Sequence, residues 1–234
     1  LPVWLLLAPR DYLSTFLKIG VIFAMALVIV YLGIGDFAGN QNIQVAMPMV
    51  TKFTDGTGPV FAGKLFPFLF ITIACGAISG FHALISSGTS PKMLEKETHA
   101  KMVGYGSMLM ESAVGVMALI AAIIITPDLY FAINVAPAGL GTTEAISAAR
   151  SAGEVFGVFQ GEASQSYLAG IKAAAASINA FAGDIIKITP EMIEQNILAF
   201  TKEVGEPSIL SRTGGAPTFA LGFAVLISKM PSLE

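Results

Sequence analysis

The chain is short of charge. Of its 234 residues only 12% are Asp, Glu, Lys or Arg, where an ordinary soluble domain carries roughly 25%. With 54% of residues hydrophobic, too little polar sequence remains to cover the surface of one or two soluble domains. The net charge of -3 and the lack of any basic stripe exclude nucleic acid as a partner. A single cysteine, Cys75, excludes an intrachain disulfide framework and a multi-cysteine metal site. The two histidines, His82 and His99, form no HExxH pair, so no ligand set exists for zinc. The sequence holds no GxxxxGK[ST] phosphate loop and no GxSxG nucleophile elbow. No cofactor is implied, and an enzyme reading finds neither a nucleophile nor a metal set. Active transport by such a chain would draw on an ion gradient or another subunit.

What the sequence has instead is long apolar runs. Ile19 to Gly35 is uncharged throughout, with Lys18 placed to snorkel at one boundary. Leu65 to Ser87 contains only His82 and Cys75 as ionisable groups of note, and Val103 to Thr126 contains one acid, Glu111. About 20 apolar residues cross a hydrocarbon core of roughly 30 Å, so three spans are predicted at 19–35, 65–87 and 103–126. They must be helices, because hydrocarbon offers backbone N–H and C=O groups no outside partner. Partial spans are read at 1–8, stopped by Pro9-Arg10-Asp11, and at 216–228. No basic start or small-residue cleavage site marks a signal peptide, and both ends read as cuts through a longer protein. The fold class is therefore all-α, a polytopic helical membrane protein. Arg10, Lys18, Lys92, Lys96 and Lys101 outnumber Lys52 and Lys64. This places the 9–18 and 88–102 loops in the cytoplasm and residues 127–215 outside it.

Within 127–215, Leu168, Ile171, Ala175, Ile178, Ala182 and Ile185 recur at helical spacing. Thr189-Pro190-Glu191 signals a second helix start, with Ile193, Ile197, Phe200 and Val204 on one face. These two amphipathic helices either cover the outer mouth of the bundle or touch substrate. The Ala/Gly/Ser-rich stretch Ala145–Gly153 reads as a flexible join.

Five residues are candidates for chemistry. Glu111 lies about eight residues inside its span, where a carboxylate costs several kcal/mol unless protonated, paired or hydrated. His82, near the cytoplasmic end of the preceding span, falls at comparable depth if the two spans are antiparallel neighbours. An acid and an imidazole there pass a proton or hold a substrate group; the alternative is a helix-to-helix hydrogen bond that only holds the bundle together. Ser86, Ser87 and Thr89 belong to the run Ser86-Ser87-Gly88-Thr89-Ser90-Pro91, whose hydroxyls, glycine and proline suit an interrupted helix that coordinates substrate or cation. The alternative is an ordinary loop capping a helix at Pro91. Gly76 and Gly80 form a GxxxG pair suited to close helix packing. A similar polar interruption, Ser211 to Pro217, precedes the last apolar run; its Arg212 either meets an anion or anchors at the interface.

The stretches LPVWLLLAPRDYLSTFLKIG (1–20), FPFLFITIACGAISGFHALISSGTSPKML (66–94), GYGSMLMES (104–112) and GEPSILSRTGGAPTFALG (205–222) closely resemble the carbon starvation protein A family, in that family's order. The resemblance implies a multi-spanning bacterial inner-membrane protein related to the amino acid–polyamine–organocation transporters, of which this chain is the N-terminal-to-middle portion. It implies uptake of peptides or pyruvate with protons during carbon starvation. The partners it implies are a small-molecule substrate, a coupling proton or cation, the lipid bilayer and the remaining helices of the longer protein. Residues 133–189 match no recognised segment of the family, and no family motif adds to the five site residues. A membrane nutrient sensor without transport is the other reading; a cytoplasmic output domain would favour it.

Overall fold

The computed structural model describes residues 3–37, 39, 43–45, 47–78, 80–152, 162–183, 189–204 and 208–230; within these helices the side chains of 3–11, 75–77, 81–82, 89, 148–152, 162–164, 190 and 202–204 are not described. The first helix, α1 (Val3–Phe37), runs without a break through the segment expected to be a loop at 9–18. Proline fixes φ at a helical value and forfeits one hydrogen bond, at about 3 kcal/mol in a helix interior. The leucines before it and the Tyr12–Leu17 run after it are apolar enough to carry the helix through. Arg10 and Lys18 thus lie on one helix with the predicted span. Among its described side chains Met25 and Leu32 are buried, while Leu13, Phe16, Leu17, Phe23, Leu27, Val30 and Ile34 stay exposed. A helix of a soluble fold buries such a stripe.

The predicted span at 65–87 is interrupted. α2 (Leu65–Ala77) ends at Ile78, whose φ of −129° and ψ of 31° are not helical. α3 (Gly80–Leu84) follows, then a π-helical turn at Ile85–Thr89 and α4 (Ser90–Met93). α2 and the next long helix, α5 (His99–Ile124), were expected to be antiparallel neighbours. Phe68, Leu69 and Thr72 near the start of α2 share an apolar cleft of about 520 Å³ with Ala122 and Ile123 near the end of α5.

Thr126 is extended and Pro127 takes the first position of α6 (Pro127–Asn134), where a missing N–H costs nothing. Then come α7 (Pro137–Leu140), α8 (Thr143–Ala152), α9 (Glu162–Ala182), α10 (Pro190–Val204) and α11 (Gly215–Ser228). Residues 145–152, expected as a flexible join, lie in helix α8, because Ala-rich sequence favours helix; Ala145 closes on α9 at Gly170. The two amphipathic helices form as the spacing predicts. Ile171, Ala175, Ile178 and Ala182 of α9 and Ile193 and Ile197 of α10 are buried, each large side chain stabilising by roughly 1.5–3 kcal/mol. The Thr189 hydroxyl accepts the Met192 N–H at 3.3 Å. Ile185 lies outside the described residues, as does the side chain of Val204.

α5, α11 and α1 pack together, and α6 joins them to α9 and α10. Buried Met117, Ala121 and Ile124 form the α5 seam. α11 meets it at Gly222, where a Cβ would overlap the Ala121 carbonyl and methyl; small residues permit such close approach. Two described helices, Tyr12–Phe37 and His99–Ile124, are long and apolar enough to cross a membrane, and Leu65–Ala74 and Gly215–Ser228 are shorter apolar helices.

Candidate functional site

Four pieces of chain meet around a cleft of about 530 Å³, a size suited to a small ligand. Val60 and Phe61 come from the loop before α2, Ala118 and Ala122 from α5, Tyr130 and Asn134 from α6, and Thr213 to Gly215, Thr218 and Phe219 from the start of α11. The walls are mostly apolar, with Tyr130, Asn134, Thr213 and Thr218 as the polar side chains.

α11 begins where it does because Gly214, at φ 130°, adopts a backbone that other residues resist. Pro217 sits in the first turn, where it displaces no ladder bond. No side chain caps this end, so the first-turn N–H groups of Gly215 and Ala216 have no partner within the helix. The Thr218 N–H closes the first turn on the Gly214 carbonyl at 3.4 Å. The Thr218 hydroxyl reaches both that carbonyl, at 3.0 Å, and Asn134 Oδ1, at 3.1 Å. Asn134 is oriented by donating from Nδ2 to the Tyr130 carbonyl at 3.0 Å. Burial pushes the Tyr130 phenol pKa up, which keeps it a neutral hydroxyl.

The strand of chain feeding α11 is pinned. The Ser211 N–H donates to the Ala132 carbonyl of α6 at 2.8 Å, and Ser211 itself takes a positive φ of 53°. Arg212 Nε donates to the Ser208 carbonyl at 3.1 Å. Arg212 lines a separate cavity of about 530 Å³, with Ile133, Ser208, Pro217 and Leu221. In the first cleft, uncapped amides at the positive end of a helix dipole favour an anionic head group such as a carboxylate, and Val60, Phe61 and Phe219 offer an apolar body a surface.

The residues predicted from sequence lie elsewhere. Glu111 is on α5, seven to eleven residues before Ala118 and Ala122, hence about 10–16 Å along the axis. It is exposed, as are its neighbours from His99 to Ala113. Ser86 and Ser87 both donate to the Ala83 carbonyl, at 3.0 and 2.8 Å, so in this arrangement their hydroxyl protons serve their own backbone. The π-helical turn that carries them is a form frequent at functional sites. The side chains of His82 and Thr89 lie outside the described residues. Among the described residues no hydrogen bond or ion pair joins Glu111 to Ser86 or Ser87. Sequence reasoning missed Tyr130, Asn134 and Thr218, although the Ser211–Pro217 interruption pointed to their neighbourhood. It also missed Asp128, buried at 3% exposure, which accepts from Asn196 Nδ2 at 2.7 Å.

Comparison with known proteins adds relatives to this geometry. A family model described as "Carbon starvation protein CstA" matches residues 1–168. The "Pyruvate/proton symporter BtsT" of Escherichia coli K12 is 53% identical over 230 residues, covering 98% of this chain and 29% of that protein. The "Peptide transporter CstA" of Campylobacter jejuni is 53% identical over 231 residues, 98% of this chain and 27% of the relative. That of Escherichia coli K12 is 49% identical over 232 residues, 97% of this chain and 27% of the relative. The chain thus spans under a third of the length of these relatives. Their alignments take in residues 133–189 as well, so that stretch, outside the segments that carry the resemblance, is shared with the relatives. No solved structure matches the chain.

Proposed function

The chain belongs to the carbon starvation protein CstA family, and from that membership we propose that it contributes to a secondary active transporter of the bacterial inner membrane. The solutes are peptides or small carboxylates such as pyruvate, the coupling ion is a proton, and the setting is the carbon starvation response. The relatives are named as transporters of these solutes, one of them as a proton symporter. The bundle is multi-pass and related to the amino acid–polyamine–organocation transporters.

The observation that carries this reading is the uncapped start of α11 beside a mostly apolar cleft that also holds the polar side chains of Tyr130, Asn134, Thr213 and Thr218. A solute carboxylate seats against the Gly215 amide, with Asn134, Thr218 and Tyr130 beside it. Glu111 and His82, within the α5 and α2–α4 segments, carry the coupling proton, and Ser86, Ser87 and Thr89 form the polar interruption along the path. No step requires a cofactor or ATP.

The test is uptake of labelled pyruvate and of a labelled dipeptide into proteoliposomes containing the full-length protein, under an imposed pH gradient. Flux that follows the gradient without ATP or a partner is the expected result. Tight binding without flux would overturn the carrier reading in favour of a nutrient sensor.

A further inference from the structure

Resting on the transport reading, we propose that Asp128 and Asn196 form a positioning latch: through α6 they fix the mouth of the cleft, and neither touches the solute. Six of the eight residues of α6 are buried and seat the helix in the core, and the hydrogen bonds at its two ends fix how it lies in that seat. At the first turn, Asp128 Oδ2 accepts the Asn196 Nδ2–H of α10 at 2.7 Å. At the last residue, Asn134 Oδ1 accepts the Thr218 hydroxyl of α11 at 3.1 Å. Between them, the Ala132 carbonyl holds the Ser211 N–H of the segment that leads into α11.

The cleft takes its polar side chains from both of the elements so joined, Tyr130 and Asn134 on one and Thr213 and Thr218 on the other. A displacement of α6 therefore moves two walls together. Asp128 is the buried acid of the described residues, and among those residues no cation pairs with it. Its carboxylate leans on one side-chain amide. Loss of that amide leaves a buried polar group unsatisfied, which costs more than the bond itself contributes. Asn196 does not line the cleft, so any effect it has on solute binding must travel through Asp128 and α6.

The experiment uses the full-length protein in proteoliposomes, with labelled pyruvate and a labelled dipeptide as probes. A second readout is the rate at which a membrane-impermeant maleimide labels Thr213→Cys at the cleft mouth, in a background without other reactive cysteines. Asn196→Asp sets two carboxylates against each other; it should raise KM by roughly fivefold or more, leave the maximal rate near wild type and change the labelling rate. The exchange Asp128→Asn with Asn196→Asp rebuilds an amide–carboxylate pair in reverse, and should return both readouts to wild type. If Asn196→Asp alone fails to reach the membrane while the exchange variant does, that rescue supports the latch. An unchanged KM and labelling rate in Asn196→Asp would overturn the proposal, and so would an exchange variant that is not restored or does not insert. A wild-type protein that moves neither solute defeats the transport reading alone, because the labelling comparison still decides the latch.

Discussion

Gly222→Ala tests whether α11 owes its position to the absence of one methyl group. The added Cβ would lie 2.6 Å from the Ala121 Cβ and 2.7 Å from its carbonyl carbon, where ordinary contact is 3.4–4 Å. The two helices must separate by about 1 Å, since the opposing atoms are mainly backbone and cannot rotate aside. Alanine's higher helix propensity returns about 1 kcal/mol, whereas forcing a methyl into a packed seam costs about 1–3 kcal/mol. Separation also loosens Leu221 and Val225, buried on the same helix, so the expected net loss is about 1–2 kcal/mol. Gly215→Ala is the matched control, because its Cβ meets nothing within 4 Å. It should not destabilise the protein, yet should weaken solute uptake by placing a methyl in the cleft. Thermal melts of the full-length protein in detergent, followed by size exclusion, measure the first effect, and proteoliposome uptake measures the second. A Gly222→Ala protein as stable as wild type, beside a destabilised Gly215→Ala, would refute the packing argument.

Glu111→Gln should reduce proton-driven uptake to background while membrane insertion stays normal; uptake at the wild-type level would return Glu111 to a packing role. Phe131, 5% exposed and edge-on to the rings of Phe53 and Phe181 at 6.1 and 5.3 Å, joins α9 to the loop before α2. Phe131→Ala should cost about 3–5 kcal/mol in the same melts. The backbone N–H and then the hydroxyl of Thr57 hold the Asp55 carboxyl below its ordinary range. Its contribution to the turn is therefore full above the usual aspartate range and is lost as pH falls through the lowered value. Thr57→Val should raise that pKa toward normal in a carbon-13 carboxyl titration, and an unchanged titration would remove the hydroxyl's role.

Where one local signal decided the outcome, the fold was legible in the sequence. The 3.6-residue recurrence of Ile171, Ala175 and Ile178 placed α9's buried face, and Thr189-Pro190 placed the start of α10. The Pro9 break was misread because a proline's local cost is outweighed by the apolar helix on both sides of it. The Ala145–Gly153 stretch was misread because small residues serve a tight helix seam as well as a flexible join. Composition alone cannot separate the two; contact with Gly170 does. The cleft was hardest to see. Tyr130, Asn134 and Thr218 are ordinary residues whose meaning comes from the packing of α6 on α11, 84 positions apart in sequence at the Asn134–Thr218 bond. An eight-residue helix is too short for periodicity to announce. Glu111 and Ser86, by contrast, stood out as polar groups in apolar runs, a signal that marks unusual residues without saying what they meet.

The interruption between α2 and α3 acts as a compass for this part of the chain. Where a helix gives out at Ile78 and another begins at Gly80, terminal carbonyls and amides lose their ladder partners. Acyl chains supply neither donors nor acceptors. In the proposed transporter, a segment lying in the bilayer would turn this notch away from lipid, toward neighbouring protein or a hydrated lumen, and peptide groups rather than side chains would set its rotation about its own axis.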